Sequence, residues 1–199
     1  MSKKNILIAC NSEFVFNKML KKLILKLELK YKVYVVLNLN EKFDKKFSKN
    51  INLIHFDYPN SFSIYKILIS LKNMYKIAKN IRPEIIISCN RNSSFIARLI
   101  CFLYKPKFNI YIAYGFYFHD YQNKLIFFLS YILEKFLSLN TNLTLSQSKK
   151  DTMVALKFKS NKNIIKTIYN GIDTNLFNKN SFADHIKINK SKKLFYLIT

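Results

Sequence analysis

The chain has 199 residues, half of them apolar, and 34 Lys plus Arg against 11 Asp plus Glu leave a formal charge of +23. Two glycines and three prolines are too few for a flexible linker or a collagen-like repeat, and 50% apolar content is too high for intrinsic disorder. The three cysteines, Cys10, Cys89 and Cys101, cannot make a disulfide framework, and the short apolar run after Met1-Ser2-Lys3-Lys4 is no signal-peptide core, so a packed cytoplasmic domain is expected.

The kind of base excludes nucleic acid as the expected partner. Arginine occurs only at Arg82, Arg91 and Arg98, whereas phosphate and base readers lean on its bidentate fork. Lysine supplies the rest, and the scarcity of Gly, Pro, Ala, Arg and Trp beside abundant Lys, Asn, Ile and Phe is what A/T-rich codons produce. A lysine-rich surface also favours anionic lipid headgroups, each nearby lysine contributing about 1 kcal/mol.

Short apolar runs alternate with amphipathic helices from the start to about residue 170, the signature of a βαβ chain. Strands are expected at 5–10, 32–37, 52–56, 84–89, 108–113, 142–146 and 163–169. The first helix puts Phe16, Leu20, Leu23, Ile24 and Leu27 on one face and Lys18, Lys21, Lys22 and Lys26 on the other. The next starts at Ser61 or Ser63, carries Ile64, Ile67, Leu68, Leu71, Met74, Tyr75 and Ala78 inward, and stops before Pro83. A third opens at Asn92 or Ser93. The fourth, Leu125 to Leu139, is the most apolar, but Lys124, Glu134 and Lys135 interrupt it and it is shorter than the roughly 20 residues of a bilayer span. A short helix at 149–157 completes the set. The expected fold is α/β, a Rossmann-like, mostly parallel sheet with helices on both faces. Residues 1–177 read as that domain, 178–193 as a polar linker, and 194–199 as the opening strand of a further domain, so the chain reads as truncated.

In such a sheet ligands bind beyond the carboxyl ends of the strands, where the loops at 11–14, 90–93, 114–119, 146–149 and 170–173 converge. Cys10-Asn11-Ser12-Glu13 stands where a dinucleotide site would have G-x-G-x-x-G, and a P-loop is absent. Tyr114-Gly115-Phe116-Tyr117-Phe118-His119 holds one of the two glycines. Its rings can stack on a sugar face with His119 moving a proton, or Phe116 and Phe118 can be core and His119 a helix cap. His55, His185 and the cysteines lack metal-ligand spacing, so no metal is expected. Cys10 and Cys89 read as small core residues at strand ends.

The order of three strings carries a resemblance: Ala113-Tyr114-Gly115-Phe116-Tyr117-Phe118, then Glu134-Lys135-Phe136-Leu137-Ser138, then Asn170-Gly171-Ile172-Asp173-Thr174-Asn175-Leu176-Phe177. These resemble A-H-G-F-H-F, E-K-x-L-S and N-G-[VI]-D-x-x-x-F of glycosyltransferase family 4, most closely the enzymes of bacterial capsule and exopolysaccharide assembly, over about residues 4 to 180. The resemblance implies the N-terminal, acceptor-holding half of a two-domain GT-B enzyme. It implies a retaining, metal-free transfer from a nucleotide sugar to a lipid-linked glycan, with no resident cofactor, in lipopolysaccharide or capsule synthesis at the inner membrane face. On this reading Tyr114 takes the family's histidine position. Asn11, Ser12, Gly115 and His119 face the acceptor, Asn170, Gly171 and Asp173 lie at the interdomain hinge, and lysines of the first helix face the anionic membrane. With the donor-gripping half absent and the histidine replaced, the polypeptide is expected to be inactive alone. The alternative is a non-catalytic acceptor-binding subunit that partners a separately encoded donor domain.

Overall fold

Seven apolar runs become seven parallel strands: β1 (Lys4–Ala9), β2 (Tyr31–Leu37), β3 (Ile51–His55), β4 (Ile85–Cys89), β5 (Phe108–Ala113), β6 (Leu143–Ser146) and β7 (Ile164–Thr167). The computed structural model describes residues 3–39, 51–59, 63–116 and 123–169, and these lie in one compact unit, Met1–Tyr169. The strands form a single sheet in the order β3-β2-β1-β4-β5-β6-β7. Ile8 of β1 is in register with Val35 of β2 and Ile87 of β4. Central strands are apolar on both faces because both faces are covered. Ile6, Ile8 and Cys10 pack with Phe16, Leu20 and Ile24 on one side, and Leu7 and Ala9 pack with Met74, Ala78, Ile96 and Ala97 on the other. This is the α/β Rossmann-like architecture the periodicity predicts.

The first helical run is α1 (Glu13–Val15), a π-helical turn (Phe16–Leu20) and α2 (Lys21–Glu28) in succession. It is followed by α3 (Ile64–Ile81), α4 (Arg91–Tyr104), α5 (Lys124–Ser138) and α6 (Lys149–Lys157). Three details differ from the expectation. In α3 Ile67, Leu71, Met74, Tyr75 and Ala78 pack inward as expected and are joined by Ser70 and Ile81, while Ile64 and Leu68 are exposed. Helix α4 begins at Arg91, with Asn90 at the N-cap position but no side-chain cap, rather than being opened by Asn92 or Ser93. Glu134 does not break the apolar face of α5; it points inward and is fully buried. No helix among the described residues is long and apolar enough to cross a membrane. The expected linker and terminal strand at 178–199 lie outside the described residues.

Strand β1 lies between β2 and β4, so the chain leaves it in one direction through β2 and β3 and resumes on its other side at β4. That reversal opens a crevice at the carboxyl ends of β1 and β4.

Candidate functional site

The crevice is a cleft of about 430 Å³, lined by Asn11, Ser12, Asn90, Arg91, Asn92, Tyr114, Gly115 and Phe116. Three connections build it, those leaving β1, β4 and β5. Ser12 is the N-cap of α1: its hydroxyl accepts from the Val15 amide at 3.4 Å and its carbonyl from the Phe16 amide at 3.0 Å. This holds the β1 loop against the cleft. On the β4 side Asn90 has φ 65° and ψ 164°, a region that L-residues other than glycine rarely occupy. The thiol of Cys10 joins the two loops beneath the cleft, its Sγ 3.4 Å from Asn90 Oδ1 and 3.4 Å from the Ser12 carbonyl. Asn92 donates its side-chain amide to the Pro59 carbonyl at 3.1 Å, tying the start of α4 to the loop after β3.

Burial governs the titratable groups. It pushes the Cys10 thiol up to about 11 from 9.0, against backbone hydrogen bonds that pull the other way. Cys89 is raised further by its complete burial and by Cys10 beside it. Desolvation also lifts the Tyr114 phenol well above its ordinary value of 10.0, with smaller contributions from Cys89 and Cys10. Tyr114 therefore stays neutral at physiological pH and offers the cleft a hydrogen-bond donor, not a base. Among the described lining residues Arg91 is the one charged side chain, and none is a carboxylate. The positive end of the α4 dipole faces the same way. Such a lining suits a polar, hydroxyl-rich or anionic ligand, and its described residues include no carboxylate or histidine to act as a general base.

Gly115 has φ 107°, and a Cβ built there would meet nothing within 4 Å. The glycine is required by backbone conformation and not by crowding. Phe116 borders the cleft and also packs edge-on against Phe158 and Tyr111, with centroids 5.1 and 6.3 Å apart. It is thus partly core, one of the two readings of the aromatic loop. His119, Tyr117 and Phe118 lie outside the described residues, as do Asn170, Gly171 and Asp173. Of the residues the sequence points to, the structure brings together Asn11, Ser12, Tyr114 and Gly115. Asn90, Arg91 and Asn92 complete the lining. They belong to a loop placed on the rim by the strand pattern, but nothing in their spacing marked them as site residues. Among the described residues no three His, Cys, Asp or Glu side chains group as metal ligands.

Solved structures share this fold at low identity. Anabaena HepE, in complex with UDP and glucose, aligns with 88% of the chain and 46% of its own length at 14% identity and a TM-score of 0.60. A sucrose-phosphate synthase structure from Thermosynechococcus elongatus aligns with 86% of this chain and 91% of that one, at 10% identity and a TM-score of 0.61. A putative UDP-N-acetylglucosamine 2-epimerase from Listeria monocytogenes aligns with 81% of this chain and 43% of that one, at 13% identity and a TM-score of 0.56. The chain spans less than half the length of the HepE and epimerase structures. No curated protein sequence matches it. Residues 6–148 match the family described as "Glycosyl transferase 4-like", a span that reaches from β1 past β6 and ends before Asn170-Gly171-Ile172-Asp173. The chain therefore belongs to the glycosyl transferase 4-like family.

Proposed function

We propose that these 199 residues supply the acceptor side of a sugar transfer, with the nucleotide-sugar donor gripped by residues outside them. The observation that carries this reading is the cleft at the β1–β4 reversal, whose described lining offers amide, hydroxyl and guanidinium groups and no carboxylate, in a chain of this family. Fold alone does not choose the reaction, since the neighbours include both a sucrose-phosphate synthase and an epimerase. UDP is present in the HepE structure and a UDP-sugar is named for the epimerase, which supports a nucleotide sugar as the donor. The acceptor is a lipid-linked glycan of cell-surface polysaccharide synthesis, met at the cytoplasmic face of a membrane that the lysine-rich chain touches peripherally. Tyr114 and Arg91 hold it, Tyr114 as a neutral donor to a sugar hydroxyl and Arg91 as the cation for a phosphate. With no base among the described lining residues and the donor held elsewhere, the 199 residues alone bind but do not transfer, and no metal or resident cofactor takes part.

Calorimetric titration with a short-chain polyprenyl diphosphate-linked sugar tests this. Binding is expected, weakened about tenfold by Tyr114→Phe through loss of one hydrogen bond and more by Arg91→Ala. A chain that ignores the glycolipid, or that transfers sugar from a nucleotide sugar unaided, would refute the proposal.

A further inference from the structure

The floor of the cleft carries a residue whose side chain reaches both loops above it. Cys10 directly follows β1 and has no exposed surface. Its amide donates to the Val36 carbonyl at 3.0 Å, and the buried phenol of Tyr58 donates to that same carbonyl at 3.0 Å, so its backbone is held from the β2 side. Its thiol proton serves two acceptors, the Ser12 carbonyl and Asn90 Oδ1. Burial keeps that proton in place at physiological pH, so the thiol is a lasting donor, though a weak one.

Asn90 occupies the N-cap position of α4, where an asparagine side chain ordinarily accepts from an amide of the first turn. Here it makes no such bond, because the side chain is turned down to Cys10. The backbone differs too. Ser12 and Ser148 cap α1 and α6 with their side chains from extended conformations, at φ −133° and −135°, whereas Asn90 stands at φ 65°. A conformation of that kind persists only where its surroundings over-determine it. The Ser94 amide donates to the Asn90 carbonyl at 3.1 Å, so the backbone of Asn90 sets how α4 begins and where Arg91 and Asn92 meet the cleft. We propose that Cys10 is a positioning residue of the cleft: its thiol withholds the Asn90 side chain from capping α4 and so places Arg91 and Asn92 against the ligand. The identity of that ligand, a glycan acceptor, is the reading proposed above, on which this assignment rests.

Cys10→Ala removes the donor, and Cys10→Ser keeps one in its place. In nuclear magnetic resonance spectra of the full chain, Cys10→Ala is expected to shift the Asn90 Cβ and side-chain amide signals. Exchange of the Ser93 amide should slow as the released side chain turns to cap the helix. Cys10→Ser should retain the parent values. Affinity for the polyprenyl diphosphate-linked sugar is expected to fall about fivefold in Cys10→Ala and to recover in Cys10→Ser. Asn90→Gly takes the same backbone without a side chain and removes the bond from its other end. Adding Cys10→Ala to it is expected to cost no further affinity, whereas a loss through packing alone would add. If Cys10→Ala does not fold, Cys10→Val fills the space without a donor and replaces it in each comparison. Unmoved Asn90 signals, an unchanged affinity or additive losses would each overturn the assignment. A parent chain that ignores the glycolipid refutes the acceptor reading instead, and the Asn90 signals then decide the role of Cys10 by themselves.

Discussion

Among the described residues Arg98 is the largest side chain with no exposure. Its Nη1 donates to Glu134, its Nε donates to Thr141 Oγ1 at 3.2 Å, and its guanidinium lies 4.3 Å over the Tyr111 ring. This one residue joins α4, α5 and β5. Removing one partner strands a buried charge, so Arg98→Ala or Glu134→Ala is expected to lower the unfolding free energy in urea by about 3–5 kcal/mol. The apolar pair Arg98→Met with Glu134→Leu should recover most of that loss. The cysteines make a different prediction. Burial lifts Cys10 to about 11 and Cys101 to about 12, so the folded chain keeps its thiol protons after the unfolded chain, titrating near 9.0, has released them. Both states are protonated below pH 9. Above it the folded state binds more protons, and stability falls as pH rises from 9 toward 11 and 12. Alkaline unfolding should begin there, and a thiol reagent at pH 8 should find no reactive cysteine until urea is added.

Helix ends show what the scarcity of glycine costs. Arg82 and Lys105 terminate α3 and α4 in the left-handed conformation, at φ 53° and 54°, and their amides donate back to the Ala78 and Cys101 carbonyls. Glycine normally fills such positions, but this chain has two glycines in all. Arg82→Gly and Lys105→Gly should each raise stability by about 1 kcal/mol, read from the urea midpoint. The scarcity of glycine also explains why the end of α3 is legible from Pro83 and not from a glycine cap. The inward turn of Glu134 was equally hidden. A charged residue in an apolar helix reads as a break in its face, and only a partner on α4, 36 positions away in sequence, makes it core.

At the scale of the molecule the charge of +23 acts against compactness, because like charges repel across the whole surface. Salt screens that repulsion, the Debye length falling from about 30 Å at 0.01 M to about 8 Å at 0.15 M. The melting temperature should therefore rise with salt, by about 2–4 °C for each kcal/mol of repulsion relieved. A flat or falling profile in a calorimeter would mean that attractive ion pairs outweigh the repulsion.

Periodicity in the chain fixed the seven strands, the helices between them and the crevice end of the sheet, because each of these depends on local spacing of apolar residues. It also placed Asn11, Ser12, Tyr114 and Gly115 on loops at that end. Tertiary structure decided what spacing cannot encode. The backbone of Asn90 and the thiol bridge from Cys10 join loops 80 residues apart, and the neutral state of Tyr114 is a consequence of burial. Exposure, too, was settled in three dimensions: Ile64 and Leu68 read as inward-facing by their spacing, yet both are exposed, whereas Met74 and Ala78 of the same helix are buried.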